Sequence, residues 1–345
     1  MKRITLTDIA KSLNLSTSTI SRALRGSHDI SQTTKRMVLD YIEKINYIPN
    51  PSAQGLKTGH SNILAIILPF ISSSFFFDFY EEISLSLMET KYRLILLQTF
   101  NDENKEKEIL TFCIQNNIGG IIISPVKNDS SLSLLKYIME QICPVIIFDR
   151  INHQLETFKI GIQNDKIIFQ ATEEMIKNKR ENIILLLCKG IGENTNRIKG
   201  YKNALLKNKI PFNPDNILEI SYSSPKDEIH EEVERKIGTL LKKVPTANAI
   251  LSTTDTLSLK VLHSLDKLSI RVPKDMLVIG FSNTLFANSL YPPLTTVNQP
   301  TQLMAKKSIG LLLDMIEKKH RKKYAEFETI FFDCDIIHRE STSIV

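Results

Sequence analysis

Three hundred and forty-five residues are more than one ordinary core fills, so two or three compact units are expected. The chain is 42% hydrophobic, has no run of about 18 apolar residues, and opens on polar and charged positions (MKRITLTDIAKSLNLS). Those features argue against a membrane span and a secretory signal. The net charge of +6 is unevenly placed: residues 1–60 hold nine Lys and Arg against four Asp and Glu, which leaves about +1 for the other 285. A basic head on a near-neutral body suits a polyanionic partner, and it equally suits a solvated basic surface. Cys113, Cys143, Cys188 and Cys334 lie far apart with no C-x-x-C pair. They read as reduced, mostly buried thiols of a cytosolic protein, with neither a disulfide frame nor a metal site.

The head reads as three short helices. The first spans about Leu6–Leu13, with Thr5 or Thr7 as its cap and Ile9, Ala10 and Leu13 facing inward. After a tight turn, Ser16 can cap a second helix from Thr17 to about Arg25, ended by Gly26. Ile20, Ala23 and Leu24 form its inner side, and Thr17, Ser18, Ser21, Arg22 and Arg25 form another. Short hydroxyls let a helix approach a major groove closely, and Arg can fork onto guanine O6 and N7. The same face also suits a small solvated bundle. Ser31 can cap a third helix to Ile45, striped by Val38, Leu39, Ile42 and Ile45. Pro49 and Pro51 break any helix beyond it, and the segment to Ser61 reads as a linker. Two helices on a short turn, braced by a third, form the helix-turn-helix pattern of DNA readers.

From Ile63 the texture changes. The apolar runs ILAIIL, RLILLQT, GGIIIS, PVIIFD, NIILLLC, ANAILS and DMLVIGF alternate with helical patterns over 78–90, 105–116, 165–178 and 195–207. Near-continuous Ile, Leu and Val strands between helices predict parallel sheets covered on both faces. The body is therefore α/β and doubly wound, with too many strands for one sheet, so two lobes with a cleft are expected. The domains are expected at 1–49 (DNA-binding head), 50–60 (hinge) and 61–345 (sensor). Within the sensor, 61–161 with 292–323 form one lobe, and 162–291 with 324–340 form the other.

The stretches TLTDIAKSLNLSTSTISRALRG and INYIPNPSAQGLKTGHS resemble the head and hinge of the lactose-repressor (LacI/GalR) family of bacterial transcription regulators. GGIIIS, NRIKGY, VIGFSN and YPPLTTVNQP continue the likeness in that family's order. The resemblance implies a periplasmic-binding-protein-like sensor and a double-stranded operator as partner. It implies that Thr17, Ser18 and Arg22 read bases and that Ser16, Ser21 and Thr34 lie near phosphates, with Thr5, Tyr47 and Asn50 also on the DNA. Ala53 and Leu56 would sit in a hinge helix that folds only on DNA, with Leu56 as a minor-groove wedge or as an ordinary junction leucine.

For the cleft, the resemblance implies Phe75, Phe76, Asp149, Arg197, Tyr222, Thr254, Asp255, Ser282 and Asn283. Carboxylate, guanidinium and aromatic groups together suit a sugar or sugar derivative. Ser282 and Asn283 stand where many family members carry an acid, which favours a ligand less dense in hydroxyls or itself acidic. A sugar-binding transport receptor or an enzyme would use the same two-lobed fold. The receptor has no use for a basic head, and no H-E-x-x-H, G-K-[ST] or G-x-S-x-G constellation supports an enzyme. The expectation is a cytoplasmic, nucleoid-associated repressor of carbohydrate-utilisation genes, without cofactor, metal or membrane partner. It binds a pseudo-palindromic operator as a homodimer, because one small head specifies too little. The end of the sequence carries no heptads for a tetramer.

Overall fold

The computed structural model describes residues 4–24, 26–45, 47, 61–189, 194–221, 229–320 and 326–343. The chain divides into two compact units between Ser61 and Asn62.

The first unit holds α1 (Leu6–Ser12), α2 (Thr17–Leu24) and α3 (Gln32–Lys44). Thr5 is the cap of α1, and it forms a closed box. Its hydroxyl accepts from the Asp8 N–H at 3.3 Å, while the Asp8 carboxylate accepts from the Thr5 N–H at 2.9 Å. Asn14, at φ 54°, makes the turn to α2, a conformation asparagine tolerates better than most residues. The next two helices begin with one device used twice. Ser16 Oγ accepts from Thr19 N–H at 3.0 Å, and Ser31 Oγ accepts from Thr34 N–H at 3.1 Å. Gly26, at φ 69°, closes α2, and Ser27 N–H reaches back to Arg22 O at 3.1 Å.

Ile9, Ala10, Ile20, Ala23 and Val38 are buried at the centre of this unit. The expected α3 stripe needs one correction. Leu39 is exposed, and Tyr41 packs with Ile42 and Ile45 against Val38. Positions 38, 41, 42 and 45 share one helical face, whereas 39 lies about 100° round from 38.

The second unit begins with β1 (Ile63–Leu68), α4 (Ser74–Leu87), β2 (Arg93–Gln98), α5 (Glu103–Gln115), β3 (Gly120–Ile123), α6 (Leu132–Tyr137), β4 (Val145–Phe148) and β5 (Lys159–Ile162). It continues with α7 (Asn164–Lys177), β6 (Ile183–Lys189), α8 (Asn194–Lys207), β7 (Ile217–Ser221), α9 (Ile229–Lys243), β8 (Ala249–Ser252), α10 (Asp255–Lys267) and β9 (Leu277–Phe281). β10 (Thr295–Asn298), α11 (Thr301–His320), β11 (Thr329–Phe332) and β12 (Asp335–Ile337) complete it.

Every apolar run named from the sequence is a strand. The first sheet has the order β11-β5-β4-β3-β1-β2 and is parallel throughout; the second is β12-β10-β9-β8-β6-β7, antiparallel only at β10–β12. Each reverses direction beside its own first strand, β1 or β6. In such sheets ligands bind outside the carboxyl ends of the strands at that reversal. Both faces of each sheet are covered. Leu64, Ile66 and Leu68 pack with α4 and α11, and Ala65 and Ile67 pack with α5, as alternation along a strand requires.

The lobe boundaries differ from expectation at the C-terminal end. β10 belongs to the second sheet, so residues 295–298 leave the first lobe. β11 adds to the first sheet beside β5, so residues 329–332 leave the second. α11 does pack on the first lobe, where Leu312 and Ile316 lie 3.1 and 3.2 Å from where a Cβ on Gly120 would sit. TTVN is mostly polar, and TIFF lies at a sheet edge with its residues alternately exposed and half-buried, so neither is a fully buried apolar run.

Loops at the carboxyl end of the first sheet are pinned by buried side chains. Arg150 donates to Pro125 O at 2.8 Å, Val126 O at 3.0 Å and Asn101 Oδ1 at 2.7 Å, and Glu106 accepts from Val126 N–H at 2.7 Å. His153 is fully buried; its Nδ1 accepts from Leu155 N–H, so Nε2 carries the proton and donates to Ser130 O at 2.9 Å. Burial holds the His153 imidazole below its ordinary pKa of 6.5. The unfolded chain therefore takes up this proton first, and stability falls as pH drops below 6.5. Histidine-selective NMR should find His153 neutral at pH 6.5. A His153→Gln variant should lose less stability than the parent between pH 7.5 and 5.5 in urea titrations.

Candidate DNA interface and sensor cleft

On the head, the inner side of α2 is fixed by Ile20 and Ala23, both buried. That leaves Thr17, Ser18 and Arg22 exposed and Ser21 half-buried on one arc of the helix. Ser16 and Thr34 are committed to capping through their 2.8 Å hydroxyl contacts with Thr19 and Ser31, and Thr5 is committed to Asp8. Tyr47 is half-buried against the head core. Asn50, Ala53 and Leu56 lie outside the described residues, as does Arg25.

In the sensor, Phe75 and Phe76 follow the start of α4 and are both buried. Phe75 stacks on Phe148 at 5.4 Å, so it is core; Phe76 reaches a cavity between the lobes. Asp149 directly follows β4, at φ 66°, and is half-buried. Burial pushes its carboxyl up, and the Arg150 and Arg197 guanidiniums oppose that rise. Arg197, on α8, is buried; its Nε donates to Asn164 Oδ1 at 3.0 Å and its guanidinium lies 5.4 Å from the Phe281 ring centre. Asp149 from the first lobe and Arg197 from the second are thus within charge range of one another.

Thr254 caps α10 by accepting from Leu257 N–H at 3.3 Å. Asp255, beside it, bonds across the lobe boundary, with Ser74 N–H donating to Oδ2 at 2.8 Å. Ser282 and Asn283, both at positive φ, face β10 more than open space. Ser282 donates to Gln299 Oε1 at 3.2 Å. Asn283 donates to Asn298 Oδ1 at 3.1 Å and accepts from Arg339 at 2.8 Å, so both ends of its amide are used inside the second lobe. Tyr222 lies outside the described residues.

Arg150, Asn164 and Cys188 belong to this site and escaped sequence reasoning. Only the placing of Arg150 directly after Asp149 could have flagged one of them. Burial pushes the Cys188 thiol up to about 11. No helix among the described residues is long and apolar enough to cross a membrane.

A three-helix reader with an outward hydroxyl-and-arginine face, joined in sequence to a two-lobed α/β sensor, defines a ligand-responsive DNA-binding regulator. Residues 5–50 match the bacterial regulatory proteins of the lacI family, and residues 172–342 match a periplasmic binding protein-like domain. The chain thus combines a lacI-family helix-turn-helix domain with a periplasmic-binding-protein-like domain. It is 29% identical over 342 residues, 98% of each chain, to a probable HTH-type transcriptional regulator EndR of Paenibacillus polymyxa. It is 27% identical to catabolite control protein A of Priestia megaterium, over 92% of this chain and 93% of that one. In fold it is similar to the Lac repressor dimer bound to operator and the anti-inducer ONPF (TM-score 0.82, 19% identity, 99% of each chain). It is also similar to the transcriptional regulator CelR in complex with cellobiose (TM-score 0.71, 21% identity, 98% of this chain and 100% of that one).

Proposed function

We propose that this regulator is a cytoplasmic repressor of carbohydrate-utilisation genes, without catalytic activity, whose sensor binds a sugar or sugar derivative. The reading is supported by a carboxylate on one lobe, Asp149, lying near enough to the buried guanidinium of Arg197 on the other to feel its charge. A carboxylate accepts two hydroxyls and a guanidinium donates a fork, which is what a polyhydroxy ring presents. Phe76 supplies an apolar wall, and Thr254 lies on the same cavity.

On the head, Thr17, Ser18 and Arg22 contact bases. Ser16, Ser21, Thr34, Thr5 and Tyr47 set the helix ends and flanks against the backbone, and Asn50, Ala53 and Leu56 extend the contact through the hinge. Two copies are required to read a pseudo-palindrome. The loop between β9 and β10 supports self-association, because Leu285, Phe286 and Tyr291 stand 86%, 65% and 97% exposed on it. The structural neighbour CelR, in complex with cellobiose, supports a carbohydrate signal.

The test is a thermal-shift screen of sugars and nucleosides on the full chain. An effector at about 100 times its Kd adds roughly 2.7 kcal/mol of stability. That gain should vanish in Arg197→Ala and fall in Asp149→Asn. A sugar that stabilises both variants as well as the parent binds elsewhere and defeats the assignment.

A further inference from the structure

The two lobes meet at the first turns of α4 and α10. Asp255, the first residue of α10, is buried, and all of its acceptor capacity is in use. Oδ2 accepts from Ser73 O–H at 3.2 Å, from Ser74 N–H at 2.8 Å and from Ser74 O–H at 2.8 Å. Oδ1 accepts from Thr256 N–H at 2.7 Å and Thr256 O–H at 3.3 Å. The first three donors lie about 180 residues away in sequence, on the other lobe. One carboxylate therefore binds the starting turns of two helices, one from each lobe, and both helix dipoles favour its charge.

Beside this contact is a cavity of about 60 Å³, lined by Phe76, Arg150, Cys188 and Thr254 as well as by Ser73 and Asp255. It is large enough for about two water molecules, and ligand pockets begin near 300 Å³.

We infer that Asp255 is a latch: with Ser73 and Ser74 it fastens the two lobes to one another. The serine hydroxyls hold the carboxylate where the sequence pattern would place hydroxyls of a ligand. A sugar-sized effector then enters only through a state in which these bonds are broken. The latch goes beyond the proposed function and depends on neither effector identity nor DNA.

Cys188 reports on it. This thiol is buried at the cavity wall, 3.9 Å from Thr254 Oγ1, whereas Cys113 is buried inside the first lobe away from the cleft. The effector-free full chain would be treated with N-ethylmaleimide, and each cysteine's modification rate read by peptide mass spectrometry. Asp255→Ala, and separately Ser73→Ala with Ser74→Ala, should each raise the Cys188 rate about tenfold or more and leave Cys113 unchanged, since labelling tracks the open population. The serine pair leaves Asp255 and its bonds to Thr256 at the start of α10 intact, which guards against a variant that merely unfolds. An unchanged Cys188 rate in the serine variant, or an equal rise at Cys113, overturns the latch. Neither effector nor operator enters the measurement, so its failure leaves the regulator reading standing, and failure of the sugar screen leaves the latch standing.

Discussion

Arg22→Ala is expected to weaken operator binding by about 1–3 kcal/mol and to flatten the base preference at one position in each half-site. The reasoning is geometric. Arg22 is exposed in the last turn of α2, on the arc that Ile20 and Ala23 leave free, and it contributes nothing to the head core. Its removal should therefore leave the helical circular dichroism and thermal midpoint of the head unchanged. Selection from random duplexes, combined with titration of the recovered sites, measures both effects. A loss that is uniform across sequences and reduces the salt dependence of binding would make Arg22 a phosphate contact. An unchanged preference would remove α2 as the reading helix.

Gly200→Ala should be the most damaging single methyl in the sensor. A Cβ at Gly200 falls 2.2 Å from Asp165 O and 2.9 Å from Asp165 C and Cα. All three are backbone atoms of α7, so no side chain can swing aside. The helices α7 and α8 must separate, at a cost of about 3 kcal/mol or more. Arg197 sits three residues earlier on α8, so effector binding should suffer with stability. The control is Gly310→Ala, in the interior of α11 with nothing near its would-be Cβ, which should stabilise by about 0.5–1 kcal/mol. Urea midpoints of the two variants should move in opposite directions. Equal stability of Gly200→Ala and the parent would refute the close packing.

Much of the architecture is legible in the sequence because its signals are local. The paired Ser-x-x-Thr caps and the Ile-Leu-Val runs each state their structure within a few residues. The illegible part depends on distant partners. Sequence alone puts β10 and β11 in the wrong lobes because the sheet a short strand joins is decided by its distant neighbours, and TTVN is mostly polar. Asp255 illustrates the same limit at the site. Its position as the first residue of a helix is visible, but the serines that saturate it come from another lobe. The amide of Asn283 likewise turns out to be held by Asn298 and Arg339, a fact only the folded second lobe contains.

The chain passes between the lobes three times: after β5, after β10 and between β11 and β12. β5 and β11 are neighbours in one sheet, and β10 and β12 are neighbours in the other, so the crossings share one edge of the sensor. A single tether would let two bodies swivel freely. Three knuckles along one edge act like a door hinge and leave one easy rotation, with twist and slide opposed by sheet hydrogen bonds. Each lobe keeps its own packed layers while it turns. Whatever the sensor registers is therefore expressed as an angle, a single mechanical variable, and the protein behaves as a lever with one degree of freedom.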